Sequence, residues 1–359
     1  MSRALVIGGG VAGISAAARL APHLDVTLLE AEESLAYHAS GRSAAMFLLD
    51  YGNATIKALN AASADHHRNA DGGVLSPRGM MMVAGPDHGD AFRSDSADLG
   101  LEEIPINQAA RLWPILNREN VTRAAYREDA QDLDTDLLIQ NFARSARAHG
   151  TRIVTGARVD RIDRVATGWR VTTLNGQTHE ADLLVNAAGA WADPVARMAG
   201  LAALNIQPYR RSMARIALPQ GMSPADWPFV DGVGESWYCK PDAGALIVSP
   251  ADEDPVEPQD AWADDMVLAE GLARYQDAVT VPVTRMLANW AGLRSFAPDR
   301  ALVIGADPQD ASFLWCAGQG GYGFQTAPAA SQLLADLALG ATPSLDAGTV
   351  RALSPARFA

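Results

Sequence analysis

The chain has 359 residues, more than one ordinary domain of roughly 150 residues accounts for, so two domains are expected. Its 48% hydrophobic and 20% charged content excludes a disordered, collagen-like or coiled-coil chain. A net charge of −13 argues against general affinity for nucleic acid or an anionic membrane surface.

Residues 4–7 (Ala-Leu-Val-Ile) read as a short buried strand, followed at once by Gly8-Gly9-Gly10-Val11-Ala12-Gly13. Ile14 to Leu20 is rich in Ala and Leu and reads as a helix, stopped near Pro22. Asp25 to Glu30 reads as the next strand. Arg3 and the apolar run after it also mimic a secretory signal. The strand, glycine turn, helix and acidic strand end account for the stretch instead. Further along, 152–154, 157–159 and 168–173 read as short strands, with a hairpin turn at Asn175-Gly176. Ala181 to Asn186 reads as a buried strand that runs into Ala187-Ala188-Gly189-Ala190-Trp191. Ala301 to Gly305 and Phe313 to Trp315 are further strands. A glycine-rich turn, Gly318 to Gly323, then precedes a helix from about Thr326 to Leu339. No run is long enough to read as a membrane-spanning helix.

The stretches 76–132 and 204–292 differ from the rest. They hold most of the aromatics, including Trp113, Trp227, Trp237, Tyr238, Trp262 and Trp290, and many prolines. They read as a strand-rich second domain inserted twice into a first made of 1–75, 133–203 and 293–359. The fold class is therefore α/β (α+β overall). A Rossmann-like nucleotide domain is interleaved with a substrate domain built on a mostly antiparallel sheet. Cys239 and Cys316 belong to no Cys-x-x-Cys or Cys/His cluster, so a disulfide framework and a zinc site are not expected. Two free thiols suit a reducing cytoplasm.

The glycines carry the first chemistry. Gly8 allows the tight turn, Gly10 lets a pyrophosphate approach the backbone, and Gly13 lets the helix pack on the sheet. The helix N-terminus offers N–H groups and a positive dipole to phosphates. Glu30 can accept from both ribose hydroxyls and would repel a 2′-phosphate. This predicts a dinucleotide, FAD or NAD. Three features favour a flavin. The polar loop His38-Ala-Ser40-Gly41-Arg42-Ser43 can donate to phosphates and to a flavin ring. The late glycine turn opens a second helix and supplies another anion-stabilising end. The small residues of 187–190 suit packing against a cofactor. Each also reads as ordinary structure: a surface loop, a helix entry, tight core packing.

With those residues in view, the whole chain resembles the D-amino-acid oxidase superfamily of flavoproteins, and within it the bacterial D-arginine and D-amino-acid dehydrogenases. The likeness rests on Gly8/Gly10/Gly13 with Glu30, YHASGRSAA (37–45), LSPR (75–78), LDTD (133–136), VNAAGAW (185–191) and RRS (210–212). DWP (226–228), YCKPDAG (238–244), SPADEDPVE (249–257), WAGLRSF (290–296) and QGGYGFQT (319–326) extend it. The resemblance implies non-covalent FAD and oxidation of a D-amino acid to its imino acid by hydride transfer from Cα to flavin N5. Water then gives the 2-oxo acid and ammonia. It implies cofactor contacts at Gly8, Gly10, Val11, Ala12, Gly13, Glu30 and Ala31, and at Ser40, Gly41, Arg42, Ser43, Ala44, Ala45 and Met46. Val159, Ala188, Gly189, Trp191, Gly320, Gly321, Tyr322, Gly323, Phe324, Gln325 and Thr326 complete that set.

Arg211 and Arg294 fall where the family binds the substrate carboxylate, and Tyr51 and Tyr238 where tyrosines assist. A carboxylate wants a fork of Arg donors. Arg210 is an alternative to Arg211, and both tyrosines also read as core residues. The pocket is expected from Met46, Leu48, Met80, Gly321 and Gln325. Met80 stands where the arginine enzymes place a carboxylate, and Met46 and Leu48 where they place a His and a Thr. Met lining predicts a hydrophobic or aromatic side chain. Oxidation of a secondary amine such as sarcosine, an N-alkyl amino acid or proline is the alternative, followed by an NAD-dependent dehydrogenase and a non-catalytic FAD-binding protein. A dehydrogenase is favoured over an oxidase. The acceptor is open among quinone, carrier and oxygen, and the chain reads as a cytoplasmic monomer or homodimer.

Overall fold

The computed structural model describes residues 2–359. Its first sheet has six strands in the order Val303–Ala306, Phe313–Ala317, Leu183–Asn186, Arg3–Ile7, Asp25–Leu29, Arg152–Val154. All neighbours run parallel except the edge strand Val303–Ala306. A parallel sheet is covered on both faces, hence its nearly continuous apolar strands. The helix Val11–Leu20 packs between the sheet, the helix Thr135–Ala148 and the late helix Gly323–Leu339.

The second sheet has nine strands. Its central run is Gln207–Ile216, Ala245–Ser249, Tyr238–Asp242, Phe229–Gly232, Met80–Ala84, Arg123–Arg127 and Glu102–Ile104, with Met286–Phe296 paired to Gln207–Ile216. Its pairs are antiparallel except Phe229–Gly232 with Met80–Ala84. One face packs on the helix Asp265–Asp277 and a cluster in which Trp113 lies against Trp237 and Tyr275. The other face looks into the large cavity described below. Trp262 is no part of this core; it is 70% exposed.

Several boundaries differ from the sequence reading. The first helix starts at Val11, three residues early, since Gly10 is its N-cap. The segment read as a strand over 157–159 becomes one only at Val159, which opens Val159–Val165. The run 181–186 is two strands, Thr178–Ala181 and Leu183–Asn186. Asp182 separates them, its carboxylate accepting from the Arg3 N–H at 2.8 Å. The strand Met286–Phe296 passes unbroken through residue 292, where the sequence places a domain change.

The late helix starts at Gly323 and contains Pro328, which cannot donate to the carbonyl four residues back. The helix Ala54–Asn69 repairs the break. The Ala329 N–H donates to Ser63 Oγ (3.1 Å), and His67 Nε2 bonds the free Gln325 carbonyl (2.9 Å). Burial drives His67 down to about 4 against the opposing effect of that carbonyl. Between about pH 4 and an ordinary 6.5 the unfolded chain therefore binds the extra proton. The stability His67 contributes is complete above 6.5 and falls by about 3 kcal/mol as pH drops through that window. Melting curves from pH 7 to 4 are expected to show a steeper loss of Tm in the natural chain than in His67→Gln. Parallel slopes would contradict this.

Candidate active site

One cavity of about 1110 Å³ runs between the two sheets. Its nucleotide end is built by the first glycine turn. Gly8 has φ +107°, and a Cβ there would strike the Ala187 carbonyl. A Cβ on Gly10 would point at Ser40 Oγ, 3.0 Å away, so the missing side chain leaves backbone facing the cavity. Glu30 is 7% exposed, and its carboxylate accepts from the Gly9 N–H (2.6 Å) and the Glu32 N–H (2.9 Å). Both bonds fix the acid at the strand end.

The cavity wall contains Gly8, Gly10, Val11, Ala12, Glu30, Ala31, Ser40 and Arg42 through Met46. It also contains Val159, Ala188, Gly189, Trp191 and Gly320 through Gln325. Three residues expected as cofactor contacts lie behind it. Gly13 sits against the Gly8 carbonyl, as its helix-packing role demands. Gly41 closes a turn on the Ala36 carbonyl. Thr326 is fully buried, its hydroxyl donating to the Tyr322 carbonyl at 2.9 Å. The Arg42 guanidinium is engaged with Asp260 and the carbonyls of Ala261 and Ala291, so it ties the loop to the second sheet.

The other end of the cavity is charged. Arg211 pairs with Gly292 and Tyr209 with Arg294 across two antiparallel strands, so the two arginines are diagonal neighbours on one face. Arg211 is 3% exposed; its Nε has no hydrogen-bond partner, and its nearest carboxylate, Glu253, is 4.0 Å away. Arg294 packs its guanidinium on Gly321, where a Cβ would lie 3.4 Å away. Burial works against the Arg294 charge, but Tyr238, Tyr51, Glu235 and Glu253 outweigh it and hold its pKa above the usual range. Arg210 turns to the opposite face, where it meets Asp252, Asp254 and Asp264. Of the two neighbouring arginines, only Arg211 lines this cavity.

Tyr238 is 6% exposed and its hydroxyl has no partner in the chain. Tyr51 stands edge-on to Tyr322, ring centroids 5.3 Å apart, and burial pushes it up to about 12 despite nearby Arg294. It therefore stays protonated at neutral pH, which leaves its O–H available as a donor. Its loop is fixed by Asn60, whose amide donates to the carbonyls of Leu48 and Tyr51 (3.1 Å each), and by Gln325, which accepts from the Leu48 N–H (2.8 Å).

Strand alternation divides the methionine run. Met80 and Met82 face the cavity, while Met81 enters the core behind it. The same alternation exposes a residue the sequence reading missed. Asp231 lies opposite Tyr238 on one side and Met82 on the other, on the cavity face. Glu235 and Asp95 line the wall nearby. No motif marks Asp231; only the pairing of these strands places it. Neither cysteine lines the cavity, and burial pushes the Cys316 thiol up to about 12.

A nucleotide cradle is joined through one cavity to a pair of guanidiniums, an arrangement with room for a dinucleotide beside a small anion. The profile of the DAO family, described as FAD dependent oxidoreductase, matches residues 3–337, and the chain belongs to that family. The family takes FAD, and the residues present fit it: the Cβ-free approach at Gly10, the buried Glu30, and a late helix whose N-terminus has no side-chain cap. Glycine oxidase of Bacillus licheniformis is 25% identical, covering 94% of this chain and 92% of that protein. Human mitochondrial dimethylglycine dehydrogenase is 23% identical over 95% of this chain. The chain spans only 43% of that protein, and 32% of the rat protein of the same name. In fold it is similar to L-proline dehydrogenase of P. horikoshii, with a TM-score of 0.83, 21% identity and coverage of 99% and 97%. Glycine oxidase of Geobacillus kaustophilus gives a TM-score of 0.83, 21% identity and coverage of 99% and 98%. Among the described residues no helix is long and apolar enough to cross a membrane.

Proposed function

We propose that this amine or amino-acid oxidoreductase oxidises a D-amino acid at Cα, holding the substrate carboxylate between Arg211 and Arg294. The observation that carries this is the pair itself: two guanidiniums on one face of two paired strands, both lining the cavity, with Arg211 Nε lacking a partner in the chain. A carboxylate satisfies such a fork, and the unpartnered Tyr238 hydroxyl can add a third donor. Bound FAD supplies the two-electron acceptor. The chain's own part is to fix the carboxylate, and through it the orientation of Cα, and to line the substrate with Met46, Leu48, Met80, Met82 and Phe229. That wall suits an apolar or aromatic side-chain body.

Dehydrogenase behaviour is the better fit. Lys240, the cation of the YCKPDAG segment, pairs with Asp132 at 2.7 Å and donates to the Ala45 carbonyl at 3.1 Å. It is absent from the cavity wall, so its charge is not presented to oxygen there.

Oxidation of a secondary amine is the second reading. It is favoured by the relatives named for dimethylglycine and by N-methyl-L-tryptophan oxidase of Salmonella agona, 25% identical over 69% of this chain and 68% of that protein. Anaerobic flavin bleaching against D-, L- and N-methyl amino acids separates the two. D-amino acids are expected to bleach the flavin fastest. Bleaching by N-alkyl glycines alone would overturn the D-amino-acid reading.

A further inference from the structure

We propose that Arg300 is a positioning residue of this site: by holding Glu253 away from Arg211, it keeps the Arg211 guanidinium balanced in charge yet open to the substrate carboxylate. The inference rests on the carboxylate clamp proposed above and deepens it.

Two adjacent arginines of one strand meet two adjacent acids of another segment. The short strand Asp254–Pro255 runs antiparallel to Gln207–Ile216, with Tyr209 opposite Pro255 and Arg210 opposite Asp254. One step further along that register, Glu253 comes opposite Arg211. Opposed residues share a sheet face, and successive residues alternate between faces. Arg210 and Asp254 therefore meet on the outer face, and Arg211 and Glu253 on the side of the cavity. The outer pair closes to 2.7 Å. The inner pair stands at 4.0 Å, and the buried Arg211 Nε has no hydrogen-bond partner. The register is common to both pairs, so the difference lies in what else holds Glu253.

Arg300 holds it. The Arg300 guanidinium donates to Glu253 Oε1 at 2.7 Å, the same oxygen that lies 4.0 Å from Arg211. Arg300 is itself fixed in three ways. Its N–H closes a turn on the Ala297 carbonyl (2.9 Å), its backbone sits in the left-handed region at φ +59°, and its guanidinium lies over the Phe296 ring, 3.8 Å from the centroid. Phe296 ends the strand that carries Arg294, so this anchor belongs to the other half of the clamp. A buried guanidinium with no carboxylate near it is strongly destabilising, and one locked in a closed pair has no fork left for a ligand. A carboxylate held a step away meets both demands. Without Arg300, Glu253 is expected to close on Arg211 as Asp254 closes on Arg210, and an arriving carboxylate then has to displace it.

The test titrates the FAD-loaded full chain with benzoate, a carboxylate on an apolar body, and reads the change in flavin absorbance. Arg300→Gln is expected to weaken benzoate binding by roughly 10- to 100-fold, the range of a charge-assisted hydrogen bond that must first be broken. Glu253→Gln alone is expected to bind within about threefold of the natural protein. Adding Glu253→Gln to Arg300→Gln is expected to restore the affinity, because the competing carboxylate is gone. Both side chains are partly exposed, so neither change opens the core, and the flavin spectrum reports that each variant is folded and loaded. Natural affinity in Arg300→Gln overturns the proposal. A double variant as weak as Arg300→Gln also overturns it, and assigns Arg300 to packing on Phe296 alone. Arg211→Lys in the same titration tests the clamp by itself. A loss there beside a normal Arg300→Gln leaves the clamp standing without this device. Unchanged affinity in Arg211→Lys, or no benzoate binding by the natural protein, removes the clamp and the proposal with it.

Discussion

Arg294→Lys is expected to lower kcat/KM by roughly 100-fold. The substitution keeps the charge and most of the stem, so net electrostatic attraction for the carboxylate survives. What it removes is the planar fork, which presents parallel N–H donors in the spacing of two carboxylate oxygens. A lysine ammonium is a single, strongly hydrated point of charge. Losing a charge-assisted bond in a buried site costs about 2–3 kcal/mol, which is the expected factor. The wall supporting Arg294 adds to the loss. Its guanidinium packs on Gly321, where the missing side chain leaves room for the wide head group that lysine lacks. Because the clamp also aims Cα, kcat should fall as well as KM rise. Arg210→Lys is the control. It sits one residue from Arg211 but on the other face, among Asp252, Asp254 and Asp264, and is expected to change kcat/KM by less than about threefold. A near-normal Arg294→Lys with a normal flavin spectrum would remove Arg294 from the clamp.

That contrast also marks the limit of what the sequence reveals. The first glycine turn was legible because its chemistry is local: strand, turn, helix and acid fall within about thirty residues. The late turn was legible for the same reason, though its helix begins at Gly323, three residues before the expected start. Residues 210 and 211 were ambiguous because adjacent positions in a strand face opposite ways, and only the partner strand says which face is which. Asp231 went unseen as a residue of the cavity wall because strands distant in sequence place it there. Its neighbours on the sheet, Met82 and Tyr238, come from either side of it, one of them through a parallel pair that no turn signal announces. The methionine run was legible as a block but not residue by residue: alternation sends Met81 into the core and leaves Met80 and Met82 on the cavity face.

Gly13→Ala is expected to abolish the holoprotein, giving colourless or insoluble material, while Gly10→Ala folds and loses only FAD affinity. Each adds one methyl, at the N-cap and in the first turn of the helix Val11–Leu20, but the two meet different things. At Gly13 the methyl would overlap the Gly8 carbonyl and press on the Ala187 side chain at 3.4 Å. Neither neighbour can yield cheaply. Gly8 holds a left-handed conformation, φ +107°, with its own N–H bonded to the Leu29 carbonyl at 2.9 Å. Ala187 continues a central strand, its N–H bonded to the Ile7 carbonyl at 2.9 Å. The helix Val11–Leu20 would have to lift off the sheet, opening the core where Ile14 is fully buried. A lost helix–sheet contact of this size consumes several kcal/mol of a total that is only about 5–15 kcal/mol. At Gly10 the backbone is extended, φ −73° and ψ −176°, which alanine adopts without strain. Its methyl meets only Ser40 Oγ at 3.0 Å, on a loop that can give by a few tenths of an ångström. The added carbon then stands where the pyrophosphate has to approach the backbone. Titration of the apoprotein with FAD is expected to show at least tenfold weaker binding in Gly10→Ala, with a far-ultraviolet spectrum matching the natural chain. A yellow Gly13→Ala with the natural Tm would show that the helix is not seated on the sheet through these two glycines. A Gly10→Ala that binds FAD normally would move the pyrophosphate away from this turn.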